Sequence, residues 1–201
     1  MQSLSEIDTT SKRASKAAGF SWGIAEEIGK AIRSLELFGL PGVINLNLYL
    51  KKIKKNHPEK VNKIEKVNKN KELCPIYCGV AFLDQCKQLE IIKTIKFYNV
   101  NYPLLILPFV SKASEILGKK ILIQFNKSSF LINFNKSILS KNIEKQIDVL
   151  ANEISIEFLE NKNSFSDQEW KELYKLSEKT FVKESESLKE KGAGAGLTDN
   201  D

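Results

Sequence analysis

The sequence predicts an α+β protein in which helices lie before and after a central antiparallel or mixed sheet. Three observations lead to this prediction. Apolar residues recur at helical spacing in the N-terminal part, apolar and polar residues alternate in the middle, and helical spacing returns after residue 166. The regular alternation of strands and helices that marks a doubly wound sheet is not visible in the sequence.

Two helices near the N-terminus are indicated by residues at their ends. Ser3 and Glu6 form a Ser-x-x-Glu capping box, which predicts a first helix over residues 4–18. Ser21 is a second N-cap candidate, for a helix that reaches Phe38. The apolar residues of this second helix share one side: Ile24, Ile28, Ala31, Ile32, Leu35 and Phe38. A third helix over residues 41–53 is favoured, although the alternation within it also fits a strand.

The middle of the chain is organised around a predicted hairpin. Residues 121–125 and 129–135 alternate between apolar and polar side chains, and a short turn joins them. The preceding segments are predicted as a helix over 75–88, a strand over 91–98, a strand or helix start over 104–107, and a helix over 111–117. Residues 153–159 make one more strand, whereas residues 142–151 are ambiguous.

The C-terminal part is predicted to hold one helix and a glycine-rich tail. Ser166 and Glu169 form another capping box, and the following residues line one face of the helix: Trp170, Leu173, Tyr174, Ser177 and Phe181. The chain is expected to form a single domain over residues 1–201. A Lys-rich linker or insertion at about 54–71 and a tail at about 183–201 complete it.

The net charge of +6 does not indicate nucleic acid as a partner. Residues 51–73 hold nine Lys and three Glu, so this segment accounts for the whole excess. Surfaces that recognise phosphate usually include Arg, whose planar guanidinium binds phosphate with two hydrogen bonds. Arg13 and Arg33 are the only arginines, against 29 lysines. A nucleic-acid partner is therefore unlikely on sequence grounds.

The cysteines and apolar runs exclude several protein classes. Cys74, Cys78 and Cys86 lack the ligand spacing of a zinc site, their odd number argues against a disulfide framework, and the only histidine is His57. No metal site is expected, and no motif identifies a cofactor. The first twenty residues lack a secretory apolar stretch, and the apolar run at 104–110 is too short to cross a bilayer. A cytoplasmic protein without a membrane partner is the expectation.

A ligand site is predicted where the second helix begins. Ser21, Trp22 and Gly23 offer unpaired backbone amides and the positive end of the helix dipole, which attract an anion. Trp22 points away from the apolar side of its helix, so another group must cover it. The tail could supply that group, because its alternate glycines allow close backbone approach. The tail residues assigned to the site are Gly192, Gly194, Gly196, Asp199 and Asp201. The alternatives are packing of Trp22 on a neighbouring helix and a frayed terminus.

Two carboxylates are the candidate catalytic groups. Glu27 lies at the edge of the apolar side of helix two and is the best general-base candidate, although a boundary Glu of this kind is more often paired with a lysine. Asp84 would be a candidate acid if its helix faced a cleft, although such a residue more often faces solvent. No serine or cysteine triad is expected, because a suitable histidine base is lacking.

Two stretches resemble a family of small alphaproteobacterial proteins that carry a domain of unknown function. They are Gly-Phe-Ser-Trp-Gly-Ile-Ala-Glu-Glu at 19–27 and Gly-Ala-Gly-Ala-Gly-Leu-Thr-Asp-Asn-Asp at 192–201. Before the tail, members of this family have a stretch that resembles Thr-Tyr-Val-Pro, whereas this chain has Thr-Phe-Val-Lys at 180–183. Lys183 therefore departs from the family pattern. The resemblance implies no activity.

Two functional hypotheses remain open after the sequence. In the first, the protein is a small metabolic enzyme or enzyme subunit that binds a small anionic metabolite between the start of helix two and the tail. In the second, it is a non-catalytic homo-oligomer or partner-binding protein whose tail forms an interface. Removal of the tail separates them, since it should abolish ligand binding in the first case and lower the oligomeric state in the second.

Overall fold

A computed structural model confirms the α+β class. It describes residues 2–53, 61, 64, 71–133, 137–141, 147–160 and 162–180. The chain forms two compact units, Met1–Asn161 and Lys162–Asp201. A single domain over residues 1–201 stays a prediction.

The three N-terminal helices begin and end close to their predicted positions. They are α1 (Leu4–Ala17), α2 (Trp22–Leu37) and α3 (Gly42–Ile53). Ser3 and Glu6 form the predicted capping box, in which the Glu6 carboxylate accepts a hydrogen bond from the Ser3 amide at 2.8 Å. Gly19 and Gly39 both have a positive φ, which glycine adopts without a steric penalty, and they follow the ends of α1 and α2. For residues 41–53 the sequence favoured a helix but also fitted a strand. The helix is confirmed.

The next helices cover the sheet. They are α4 (Pro75–Leu89) and α5 (Leu107–Leu117), and a short 3-10 helix, Pro103–Ile106, leads into α5. Of the two interpretations of residues 104–107, the helix start is therefore correct. Gly79 of α4 lies so close to α5 that a Cβ atom there would come within 2.4 Å of the Phe109 ring. This close approach fixes α4 against α5.

In the part of the chain that the structure describes, five strands form one antiparallel sheet in the spatial order β1-β5-β2-β3-β4. The strands are β1 (Thr94–Asn101), β2 (Lys120–Phe125), β3 (Ser128–Asn133), β4 (Ser137–Lys141) and β5 (Leu150–Leu159). The predicted hairpin is β2 and β3, with Ile121 opposite Ile132 and Asn126 at φ 49° in the turn. Strand β4 has no counterpart among the predicted elements. The predicted strand over 91–98 begins too early, since Ile91 and Ile92 are exposed in the turn before β1.

The core lies between one face of the sheet and the helices α4 and α5. Alternate residues of the strands are buried on that face, with Phe97 opposite Ile154 and Ile123 opposite Ile156. Phe82 of α4 is fully buried against them, and its ring stacks on that of Phe158 at 5.9 Å between centroids. Burial of this apolar surface is the main stabilising term of the fold.

Three polar side chains join the two ends of the Lys-rich segment. The Lys52 ammonium at the end of α3 donates hydrogen bonds of 2.6 Å to the Glu72 carboxylate and to the Asn101 side-chain oxygen. The Asn101 amide nitrogen also donates to Glu72, at 3.1 Å. Leu73 pairs with β1 through backbone bonds to Asn99 and Asn101. Residues 52 and 72 are therefore held together, whereas most of residues 54–70 lie outside the described part.

The second unit contains helix α6 (Asp167–Ser177). Ser166 and Glu169 form the predicted capping box, and the rings of Phe165 and Trp170 stack at 5.5 Å. The large apolar side chains are exposed: Phe165, Trp170, Leu173, Tyr174 and Leu176. Phe181, predicted on the same face, lies outside the described residues.

Within the part of the chain that is described, none of the helices combines the length and apolar character needed to cross a membrane.

Candidate functional site

The start of α2 has the predicted capping geometry. The Ser21 hydroxyl accepts a hydrogen bond from the Ile24 amide at 3.4 Å, so the amides of Trp22 and Gly23 are the ones left without an acceptor inside the helix. No acidic residue lies in the first turn of α2, whereas α1 has Glu6 there. The positive end of the α2 dipole is therefore not neutralised by a side chain of its own first turn.

Trp22 and Gly23 are both open to solvent. The Trp22 side chain is 59% exposed, and the Lys16 ammonium at the end of α1 lies 5.4 Å from the centroid of its ring. This cation–π contact agrees with the interpretation that Trp22 packs on a neighbouring helix. A Cβ atom on Gly23 would meet nothing within 4 Å. A small ligand therefore has room at this helix end.

A cleft of about 260 Å³ lies between the start of α2 and the exposed side of α4. Ser21 and Asp84, which the sequence separates by 63 positions, both line it. Its other polar lining residues are Tyr77 and Gln85. The apolar lining residues are Ile24, Val61, Val80 and Ala81. The structure thus brings a predicted ligand-binding residue and a predicted catalytic residue to one cleft.

Tyr77 and Gln85 give this cleft further hydrogen-bonding groups. Burial raises the pKa of Tyr77, and the neighbouring Cys74 thiol adds to the increase, so the phenol stays protonated at neutral pH. The Tyr77 ring is held against Phe20, at 5.6 Å between centroids. The Gln85 amide nitrogen donates to the Ala81 carbonyl at 2.9 Å, which leaves the amide oxygen for a ligand. Neither residue was predicted, because each resembles an ordinary boundary residue of an amphipathic helix.

Glu27 lies in a different place, a groove of about 310 Å³ between α2 and α5. Its carboxylate accepts hydrogen bonds from Lys30 at 3.1 Å and from Lys112 of α5 at 3.0 Å. Partial burial alone would raise the pKa of Glu27, but the bonds from Lys112 and Lys30 outweigh it, so the pKa is lowered. A carboxylate held in this way is a weak base. The two predicted catalytic carboxylates therefore do not share a cleft among the described residues.

The tail residues assigned to the site are Gly192, Gly194, Gly196, Asp199 and Asp201, and they lie outside the described residues. Their part in the site stays a prediction.

The cysteines of α4 contribute to packing. Cys74 is the N-cap of α4, and its sulfur accepts a hydrogen bond from the Tyr77 amide at 3.5 Å. Burial raises the pKa of Cys74 to about 11, so its thiol is protonated at neutral pH. The Cys78 thiol is fully buried as well. Among the described residues, no three His, Cys, Asp or Glu side chains are grouped as metal ligands, and His57 lies outside that part.

Comparison with known proteins gives a family-model match to the N-terminal part of the chain. No curated protein and no solved structure matches the chain. Residues 2–74, which contain α1, α2 and α3 and end at the N-cap of α4, match the model of a family described as "Protein of unknown function (DUF3726)". The match includes the stretch at 19–27 on which the sequence resemblance rests, but not the stretch at 192–201. The N-terminal part of the chain is therefore similar to an uncharacterised domain of unknown function.

Proposed function

We propose that this protein is a small cytoplasmic metabolic enzyme or enzyme subunit that binds a small anionic metabolite in the cleft beside the start of α2. The observation that supports the proposal is the meeting of Ser21 and Asp84 in one cleft with apolar walls. Clefts of this kind, with a few converging polar groups on an apolar surface, are the usual sites of small ligands.

The anionic group of the ligand belongs at the start of α2. The unpaired amides of Trp22 and Gly23 and the helix dipole both favour negative charge there. The apolar side chains, among them Ile24 and Val80, exclude water from the body of the ligand. Of the two predicted catalytic carboxylates, Asp84 is the one that a ligand in this cleft would meet, whereas Glu27 is already paired with lysines.

A thermal-shift screen of small carboxylates and phosphates tests this proposal. We expect at least one compound to raise the melting temperature of the full chain, and we expect Gly23→Asp to abolish that increase. The added carboxylate would occupy open space in the first turn, repel an anion and stabilise the helix itself. Gly23→Ala is the matched control and should keep the response. An unchanged response in Gly23→Asp would place the ligand elsewhere.

The same screen on a chain that ends at Lys191 tests the predicted role of the tail. Loss of the thermal shift on truncation would support the prediction that the tail takes part in ligand binding. An equal thermal shift would show that the tail does not take part.

Partner binding or self-association is the second candidate function, and the exposed face of α6 favours it. Five large apolar side chains are exposed on or beside this helix, and Trp170 alone is 52% exposed. Clusters of exposed large apolar side chains often mark an interaction site. Light scattering on the full chain and on Leu173→Glu would test it. A monomeric mass for both proteins at all concentrations would exclude self-association.

A further inference from the structure

Two buried polar atoms on α3 lack a hydrogen-bond partner among the residues that the structure describes. They are the Asn45 side-chain oxygen and the Tyr49 hydroxyl, and each of the two residues is only 1% exposed. The Asn45 amide nitrogen, in contrast, donates to the Pro41 carbonyl at 2.7 Å. A buried polar atom without a partner lowers stability, because it has given up its bonds to solvent and gained none in return. Buried polar atoms in native proteins are nearly all bonded, so this pair points to a group that bonds to both.

Helix geometry places the two side chains at a spacing that one small molecule can bridge. Asn45 and Tyr49 are four residues apart, so their Cβ atoms lie about 6 Å from each other on one side of α3. Helical side chains lean toward the N-terminus, which brings the Tyr49 ring over Asn45. A water molecule that bonds to two oxygen atoms spans about 5.5 Å, because each of these bonds is about 2.8 Å long. One water molecule therefore matches the spacing.

The surroundings of Tyr49 favour a neutral ligand. Burial raises the pKa of the Tyr49 hydroxyl, and the neighbouring Cys74 thiol adds to the increase, so the phenol stays protonated. The Tyr49 ring also lies edge-on to that of Tyr102, at 5.9 Å between centroids. The Cys74 sulfur is a weak acceptor and does not replace an oxygen as the partner of this hydroxyl. A buried ion would lose its hydration at a high cost, whereas water is neutral and both donates and accepts.

We propose that one internal water molecule is bound beside α3, near the start of α4. It donates a hydrogen bond to the Asn45 side-chain oxygen and accepts one from the Tyr49 hydroxyl. Waters of this kind bond to polar groups that would otherwise be unpaired in the core, and they are costly to remove. This site is independent of the proposed ligand cleft beside α2.

Two substitutions that nearly keep the shape of the side chains test the site in the full chain. Tyr49→Phe removes only the hydroxyl, and Asn45→Leu replaces the amide by an apolar group of similar size. With the water in place, Tyr49→Phe breaks a buried hydrogen bond and should raise the equilibrium constant for unfolding about fivefold. In the double variant neither polar atom remains, so its effect should be smaller than the product of the two single effects. Chemical denaturation of the four proteins measures both quantities.

Oxygen-17 relaxation dispersion detects the water directly. It reports long-lived internal water through the oxygen nucleus, so the exchanging proton of the Tyr49 hydroxyl does not contribute. The full chain should hold one more long-lived water molecule than the double variant. Tyr174→Phe is the matched control, because it removes the hydroxyl of an exposed tyrosine on α6, and it should change neither the water count nor the stability.

Three results would overturn the proposal. Equal water counts in the full chain and the double variant would show that the pair is not hydrated. Unchanged or higher stability of Tyr49→Phe would show that the hydroxyl is unpaired in the folded protein. Coupling of Tyr49→Phe with Cys74→Ala, and not with Asn45→Leu, would assign the hydroxyl to the thiol instead of a water molecule.

Discussion

The cleft beside the start of α2 and the groove between α2 and α5 each contain one carboxylate that the sequence nominates for catalysis. In the groove, Glu27 is bound by Lys30 and by Lys112, so its charge is already neutralised within the protein. In the cleft, Asp84 makes no hydrogen bond or ion pair with another described residue. The difference shows that the neighbouring helix determines whether an acidic residue of this protein has an ion-pair partner.

The largest effect is expected from a change that disrupts both regions. Gly79→Ala would put a Cβ atom 2.4 Å from the Phe109 ring and so force α4 away from α5. We expect the free energy of unfolding to fall by about 2 kcal/mol, because overpacking costs more than the helix propensity of alanine gains. Chemical denaturation measures this loss. Gly23→Ala, where a Cβ atom meets open space, should leave stability unchanged or slightly higher; equal effects at the two glycines would contradict the close packing.

A smaller effect is expected when the paired carboxylate is removed. Glu27→Gln should lower the free energy of unfolding at neutral pH by about 1 kcal/mol, through loss of two ion pairs at a partly buried site. Because the lysines lower the pKa of Glu27 in the folded state, its contribution is present above the ordinary glutamate value of 4.5 and is lost as the pH falls through the lowered pKa. Thermal unfolding of both proteins from neutral to acidic pH measures the difference, which should shrink on acidification. A difference that grows instead would mean that Glu27 is not stabilised as an anion.

The smallest effect on stability is expected at the unpaired carboxylate. Asp84→Asn should change the free energy of unfolding by less than about 0.5 kcal/mol, as is usual for exposed positions without a partner. The same denaturation experiment measures it beside Glu27→Gln. A loss as large as that at Glu27 would show that Asp84 has a structural partner, and the contrast between the two regions would disappear.

Local signals predicted most of the secondary structure. The capping boxes at Ser3 and Ser166 and the N-cap at Ser21 depend only on residues three positions apart, so a short window contains the whole interaction. The hairpin of β2 and β3 was predictable for the same reason. The first strand was placed too early because Ile91 and Ile92 are apolar but lie in a turn, where no cross-strand neighbour covers them.

The candidate site was predictable only in part. Ser21 was identified from its helix position, but Asp84 reaches the same cleft only because α4 packs near the start of α2. Lys112 meets Glu27 across 85 positions, and no local pattern encodes such a pair. Tyr77 and Gln85 were missed because their polar atoms become significant only when two helices enclose a cleft.

The hydrogen bonds that join Lys52, Glu72 and Asn101 affect how the fold responds to a longer chain between residues 52 and 72. The Lys52 and Glu72 side chains are bonded to each other and to Asn101 of β1, so the chain between residues 53 and 71 begins and ends at neighbouring points of the described structure. The entropic cost of bringing the two ends of a flexible segment together grows only logarithmically with its length, so that doubling the number of residues costs about 0.6 kcal/mol. This position is therefore where the chain should best accept an inserted tag or reporter domain without a change of fold.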